Sequence, residues 1–249
     1  MSPLSALKAV FFDLDETLLD DDAAMREALA RTCAALARHH AGVDAKRLAD
    51  SYLAVSDDFW RNLGGVPRAT GSQASNGLEI RTEVWGRALA ACDGASTDLA
   101  AEAAATYAGE RSATYRLFPD ALPVTDALRE RLFLAVITNG PGDTQREKLE
   151  RTGLAGVSQA VLISGELGVG KPDPAIFRLA LAAGGFEARQ AIHVGDSLEA
   201  DVAGARAAGI ATAWVNRTGR TLPSALAPPD IEIRSLLELR DRFGLARVP

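Results

Sequence analysis

The stretch Lys8-Ala-Val-Phe-Phe-Asp13-Leu-Asp15-Glu-Thr17-Leu-Leu-Asp-Asp-Asp22 decides how the chain reads. Four consecutive apolar residues, Ala9 to Phe12, suit a strand covered on both faces, as in a parallel sheet. The run then breaks into a cluster of acids, which cannot stay buried unpaired. A buried strand that ends in carboxylates this early in the chain sets the question for everything downstream.

Beyond it, from about residue 22 to residue 115, alanine, leucine and arginine dominate and β-branched runs vanish. Alanine and leucine have the best intrinsic helix propensities, so this texture predicts helices over 24–40, 44–63, 76–91 and 97–115. An acid near Asp22 is expected to cap the first of them, since acids favour helix N-termini. Residues 64–77, rich in Gly, Ser and Thr, read as a loop. From 118 onward the rhythm becomes helix and strand in turn. Strands are expected at 133–138, 160–164, 191–195, 211–215 and 231–233. Helices are expected at 118–131, 143–151, 174–183, 198–208 and 235–243, with Gly153 and Gly209 as stops. Alternating β and α units imply an α/β fold, a Rossmann-like parallel sheet with helices on both faces. The expected organisation is a core of residues 1–16 and 118–249, interrupted after the first strand by a helical unit, 17–117.

The whole chain has 249 residues, 47% apolar and 24% charged, the composition of an ordinary globular protein. At about 150 residues per domain this is one large domain or two modest ones. The net charge of −6 argues against a nucleic-acid polymer or an anionic membrane as partner, though a small anion needs only one local positive pocket. Cys33 and Cys92 lack metal-ligand spacing and read as free thiols in a reducing compartment. The N-terminus carries no basic segment followed by a long apolar one, and no 18-residue apolar window occurs, so a cytoplasmic protein is expected.

In an open parallel sheet, ligands sit beyond the carboxyl ends of the strands. Four expected strand ends carry polar residues there: Asp13-Leu-Asp15-Glu-Thr17, Thr138-Asn139-Gly140, the loop from Ser164 to Lys171, and Gly195-Asp196-Ser197. They bring carboxylates, a hydroxyl, an amide and an ammonium to one rim. Clustered carboxylates repel one another, and a divalent cation relieves that. A small set of oxygen ligands points to Mg²⁺, with Lys171 and Thr138 suited to a phosphoryl group. The segment Gly165-Glu-Leu-Gly-Val-Gly-Lys171 fits a phosphate-binding P-loop in all but its last place, where Pro172 stands instead of Ser or Thr. A nucleoside triphosphatase is therefore a poor alternative.

These four stretches, together with Gly170-Lys171-Pro172-Asp173-Pro174 and Asp201, resemble the four ordered motifs of the haloacid dehalogenase (HAD) superfamily. The helical unit resembles that superfamily's C1 cap. The stretch from Thr138 to Arg217 is most similar to branches containing the sialic acid 9-phosphatases and the pyrimidine 5′-nucleotidases. The resemblance implies that Asp13 is the nucleophile and Asp15 the general acid and base. It implies that Thr138, Asn139 and Lys171 hold the phosphate. It also implies that Mg²⁺ is bound by Asp13, the Asp15 backbone carbonyl and Asp196. Asp201 is expected to hold a metal-bound water or to orient Lys171.

Position 15 selects among reactions. The dehalogenases of the superfamily do not carry Asp two residues after the nucleophile, because a halide leaves without a proton whereas an alkoxide needs one. The expected function is thus a Mg²⁺-dependent phosphatase acting on a small soluble phosphomonoester. A phosphomutase using the same aspartyl-phosphate is the alternative, and a non-catalytic interaction module a remote one, since no motif residue is missing. An open acidic turn accounts for Asp13 and Asp15 taken alone, and an ordinary turn for Thr138 to Gly140; only the convergence of all four stretches outweighs these readings. Glu166 reads equally as a contact of Lys171 or a solvated loop acid. Trp60 and Trp85 are expected in the core of the helical unit, and His39, His40 and His193 outside the chemistry. Arg61, Arg68 and Arg81 are candidate substrate contacts, and the 64–77 loop and the Asp20 region candidate selectors of substrate.

Overall fold

The computed structural model describes residues 7–63, 76–94 and 96–243, with residues 61–63 described as backbone alone. Six parallel strands form one sheet in the order β3-β2-β1-β4-β5-β6. They are β1 (Ala9–Phe12), β2 (Phe133–Thr138), β3 (Ala160–Ile163), β4 (Ala191–Gly195), β5 (Ala211–Val215) and β6 (Ile231–Ile233). The order reverses between β1 and β4, and a doubly wound sheet binds its ligands at such a switch point. Phe12 is in register with Val136 on one side and Val194 on the other, so the residues after β1, β2 and β4 emerge side by side.

All four residues of β1 are buried, and successive side chains point to opposite faces. Val10 and Phe12 join Leu134, Val136, Ile192 and Val194 on one face, under α5 (Ala121–Arg129), α6 (Gly142–Arg151) and α10 (Leu236–Arg242). Ala9 and Phe11 join Ala135, Ile137 and Phe177 on the other, under α8 (Pro174–Gly184) and α9 (Gly204–Ala207). The continuous apolar reading of β1 is thus explained by two separate helix layers. A short helix, α7 (Ser164–Leu167), follows β3 where the sequence suggests only a loop. Residues 198–208 form a helix whose first half, Leu198–Ala203, is wound in π fashion before α9.

Between β1 and β2 lie α1 (Asp21–His39), α2 (Ala45–Leu63), α3 (Gly77–Ala90) and α4 (Thr97–Thr114). They share their own buried cluster, centred on Trp85, Tyr52 and Tyr107. Tyr52 and Trp85 have ring centroids 4.4 Å apart, and Tyr107 lies 5.2 Å from Tyr52. Alanine at positions such as 88, 103 and 104 lets these helices approach closely around the rings. The chain enters and leaves this unit together: Phe118 N–H donates to Leu18 O at 2.9 Å, and Leu19 bridges to Leu117.

Two expectations on this unit need correction. The carboxylates of Asp20 and Asp22 do not cap α1: Asp20, at the N-cap position, makes no side-chain cap bond, and Asp22 lies inside the first turn. The cap comes from Glu16, whose Oε1 accepts from Asp22 N–H at 2.5 Å, because the Asp15–Leu19 turn folds back on the helix start. Trp60 is not a core residue. It is 39% exposed, whereas Trp85 is fully buried.

Candidate active site

Asp13 follows β1, and its N–H is held by Val194 O at 2.9 Å, which ties the tip of β1 to β4. Its carboxylate is buried and accepts a hydrogen bond from Lys171 Nζ. Lys171 arrives from the loop after α7. That loop is clamped by Asn139, whose Oδ1 accepts from Lys171 N–H at 2.9 Å and whose Nδ2 donates to Lys171 O at 2.8 Å. The Asn139 side chain therefore positions the lysine.

The same ammonium donates to Asp201 Oδ1 at 2.7 Å. Asp201 sits on the π-wound turn after β4, and its other oxygen accepts from Ser197 N–H at 3.0 Å. His193, inside β4, donates from Nε2 to Asp201 Oδ1 at 2.8 Å. His193 is a packed strand residue as expected, yet it also braces the carboxylate that braces Lys171. With its acceptors used in this way, Asp201 is occupied by protein groups.

Asp196 completes the group: carboxylate oxygens of Asp13, Asp196 and Asp201 all lie within 4.8 Å of one another. Its backbone oxygen accepts from Trp214 Nε1 at 2.8 Å and from Arg220 Nη2 at 2.6 Å. Electrostatics divide the three acids. Burial would raise Asp201, but Lys171 and His193 outweigh it and hold it below the usual carboxylate range. Burial pushes Asp13 well above that range, against the pull of Lys171. Burial, with the Asp201 charge behind it, pushes Asp196 up to about 6. The three acids outnumber the cations that reach them, Lys171 and Arg220, and burial resists full ionisation of Asp13 and Asp196 while no further cation is bound. The donor set of the rim is entirely oxygen, so it is matched to a hard divalent cation.

Asp15 points the other way, into a cavity between the sheet edge and the helical unit. Lys148, on α6, donates to Asp15 Oδ1 at 2.8 Å and Oδ2 at 2.9 Å, and Gln145 Nε2 donates to Oδ2 at 3.1 Å. Gln145 also donates to Thr138 Oγ1 at 2.5 Å, so one amide links the ends of β1 and β2. Lys148 reaches across to Asp21 of α1 at 3.1 Å, and Arg111 of α4 pairs with Asp21 at 2.5 Å. Burial would lower the lysine, but Asp15 and Asp21 outweigh it and keep it charged. The Thr138 loop is itself fastened to α7: Ser164 Oγ accepts from Gly140 N–H at 3.0 Å, and Gly165 N–H donates to Gly140 O at 3.1 Å.

The structure therefore brings Asp13, Asp196, Asp201 and Lys171 together on the rim, and Asp15, Thr138 and Asn139 beside them. Glu166 stands apart, paired with Arg146 at 2.7 Å. His40 pairs with Glu102, remote from the rim. Arg81 lines the cavity, as does Trp60. Arg68 and most of the 64–77 loop lie outside the described residues, as does the Arg61 side chain. Gln145, Lys148 and Arg111 escape the sequence reading; Asp21 falls within the Asp20 region already singled out and lines the cavity, but the sequence does not show its ion pairs. Spacing of three puts Gln145 and Lys148 on one helix face, the one available signal.

The family model for haloacid dehalogenase-like hydrolases matches residues 7–209. The phosphoserine phosphatase of Thermus thermophilus is 37% identical over 247 residues, covering 94% of this chain and 98% of that protein. The N-acylneuraminate-9-phosphatase of Mus musculus is 31% identical, covering 95% and 93%. Among solved structures, the HAD-hydrolase YfnB of Bacillus subtilis bound to magnesium superposes with a TM-score of 0.76, over 96% of this chain and 99% of that one. At 23% identity, this likeness shows the fold. A family match over residues 7–209 and a relative 37% identical over nearly the whole of both chains make this protein a member of the haloacid dehalogenase-like hydrolase family.

Proposed function

We propose that the protein is a Mg²⁺-dependent phosphatase that hydrolyses a small phosphomonoester through an aspartyl-phosphate on Asp13. The observation that carries this is the division of labour between two carboxylates on one strand tip. Asp13 is buried against Lys171, and Asp15 faces the cavity under Gln145 and Lys148. That its curated relatives are named phosphatases supports the reading.

An Asp13 carboxylate oxygen attacks phosphorus and the ester P–O bond breaks. Asp15, which enters this step in its protonated form, gives its proton to the departing alkoxide. Asp15, now a carboxylate, takes a proton from water, whose oxygen attacks phosphorus; inorganic phosphate leaves and Asp13 is restored. Lys171 holds the attacking carboxylate and offsets the charge that gathers on the phosphoryl oxygens. Thr138 and the Asn139 backbone N–H hold those oxygens. The Asp13 carboxylate, the Asp15 carbonyl and the Asp196 carboxylate would hold Mg²⁺, which when bound supplies positive charge against the phosphoryl group. Asp201 orients Lys171.

We assign residues 17–117 the role of a cap that covers the cavity and excludes water during the reaction. The two cysteines are free, which fits a cytoplasmic setting, and no described helix is long and apolar enough to cross a membrane. The test is phosphate release from a panel of phosphomonoesters with MgCl₂. Asp13→Asn is expected to cut turnover at least about 10³-fold with the fold intact by circular dichroism. Undiminished release would reject Asp13 as the nucleophile.

A further inference from the structure

We propose that Arg81 receives a second anionic group on the substrate, and that the preferred substrates are compact phosphomonoesters with a carboxylate on the alcohol side. This rests on the phosphatase reading above. The charge in the cavity carries the argument. Asp15, Asp21, Arg81, Arg111 and Lys148 are the charged side chains among its described lining. Four of them satisfy one another: Lys148 pairs with both aspartates, and Arg111 with Asp21.

Arg81 is left over. Its polar contact is Nη2 to Tyr115 Oη at 3.5 Å, the far limit of a hydrogen bond, and no carboxylate among the described residues pairs with it. Three cations against two anions leave one positive charge on the wall, and Arg81 holds it. The phenols of Tyr52 and Tyr107 stand within its field but cannot answer it, because burial raises both and keeps them neutral. A half-buried guanidinium without a counter-charge is costly, and its planar fork matches a carboxylate through two parallel hydrogen bonds.

Size narrows the class further. The cavity holds about 240 Å³, below the roughly 300–1,000 Å³ of pockets that enclose drug-sized ligands. Met25, Trp60 and Ile80 supply apolar wall for a short carbon chain. The phosphoryl group at Asp13 and the carboxylate at Arg81 would hold such a molecule at both ends.

The experiment compares matched pairs of two lengths, with MgCl₂: 2-phosphoglycolate against ethyl phosphate, and 3-phosphoglycerate against glycerol 3-phosphate. For at least one pair the carboxylated member is expected to have a kcat/KM about tenfold or more higher. Arg81→Met should reduce that ratio about tenfold, chiefly through KM, and Arg81→Lys should retain part of it. Equal turnover of both members of each pair by the natural protein overturns the inference without any variant. So does a preference that survives Arg81→Met. Phosphate release from these substrates without discrimination leaves the phosphatase reading standing. Release from no phosphomonoester of a broad panel overturns both.

Discussion

Two buried lysines do formally the same thing in two regions of this molecule. Lys171 bridges Asp13 and Asp201, and Lys148 bridges Asp15 and Asp21. Each ammonium is almost wholly covered, at 3% and 6% side-chain exposure. The first assembly draws its members from the connections beyond the carboxyl ends of one sheet, Asp13 after β1, Lys171 after α7 and Asp201 on the helical turn after β4, with Asn139 and His193 bracing it from behind. The second spans a seam: its lysine lies on α6 and one partner, Asp15, on the tip of β1, while the other, Asp21, lies on α1 of the helical unit and is held in turn by Arg111 of α4. The first assembly thus lies wholly on the sheet's side of the molecule, and the second joins that side to the helical unit. Partner exposure follows the same division: Asp201 is 2% exposed, whereas Asp15 and Asp21 are 31% and 21%.

The strongest way to break this comparison is to remove each ammonium in turn. Lys171→Met leaves two buried carboxylates facing one another. It is expected to lower kcat about 10²–10³-fold and to destabilise the protein by about 3–5 kcal/mol in urea unfolding. Lys148→Met frees carboxylates that water reaches, so about 1–3 kcal/mol is expected, with a loss of about tenfold in kcat. Equal losses from the two variants would show that the seam is as rigid and as central as the rim.

A smaller effect sharpens the comparison through pH. Asp201 has its folded pKa depressed, so the stability it contributes is present above the unfolded value of about 3.9 and is lost as pH falls through the folded value. Asp196 has the opposite sign: its folded pKa is raised to about 6. Without metal, stability is therefore lost as pH rises from about 4 through 6, while this carboxylate ionises in the folded state. A cation bound to the ionised form reverses that loss. The Tm increase between EDTA and MgCl₂ should then be several degrees larger at pH 7 than at pH 5. An increase that does not change with pH would remove Asp196 from the ligand set.

The smallest effect is expected at the outer edge of the seam. Asp143, at the start of α6, accepts from Gly77 N–H at the start of α3, at 2.9 and 3.0 Å. The carboxylate is exposed, so Asp143→Ala should change KM by only about two- to fivefold and leave Tm within about 2 °C. A larger fall in kcat would mean that this one contact governs closure.

The rim was legible in the sequence because its residues lie in the connections that follow short apolar strands, at once for Asp13, Thr138 and Asp196 and after one short helical stretch for Lys171 and Asp201. Parallel strands put such positions on one edge whatever the length of the connections. The seam was not, for two reasons. The α6 stretch Gly-Asp-Thr-Gln-Arg-Glu-Lys-Leu-Glu-Arg looks like a solvated helix, and nothing local shows that Gln145 and Lys148 are its buried members. Asp21 stands in a run of three aspartates that reads as capping chemistry, and its partner Arg111 lies 90 residues away in an alanine-rich helix. Trp60 misled for a related reason: helical spacing shows which face a residue takes, but here that face borders a cavity instead of core.

The fastening of the Thr138 loop to α7 has a consequence for how the chemistry tolerates change. A methyl group on Gly165 would lie about 2.5 Å from the Gly140 oxygen and 3.1 Å from both Gly142 N and Pro141 Cα, all of them main-chain atoms with no rotamer to yield. A lone hydrogen at position 165 therefore acts as the spacer between two loops. Any side chain there would lever the expected phosphate cradle away from Asp13, without touching a single reacting group.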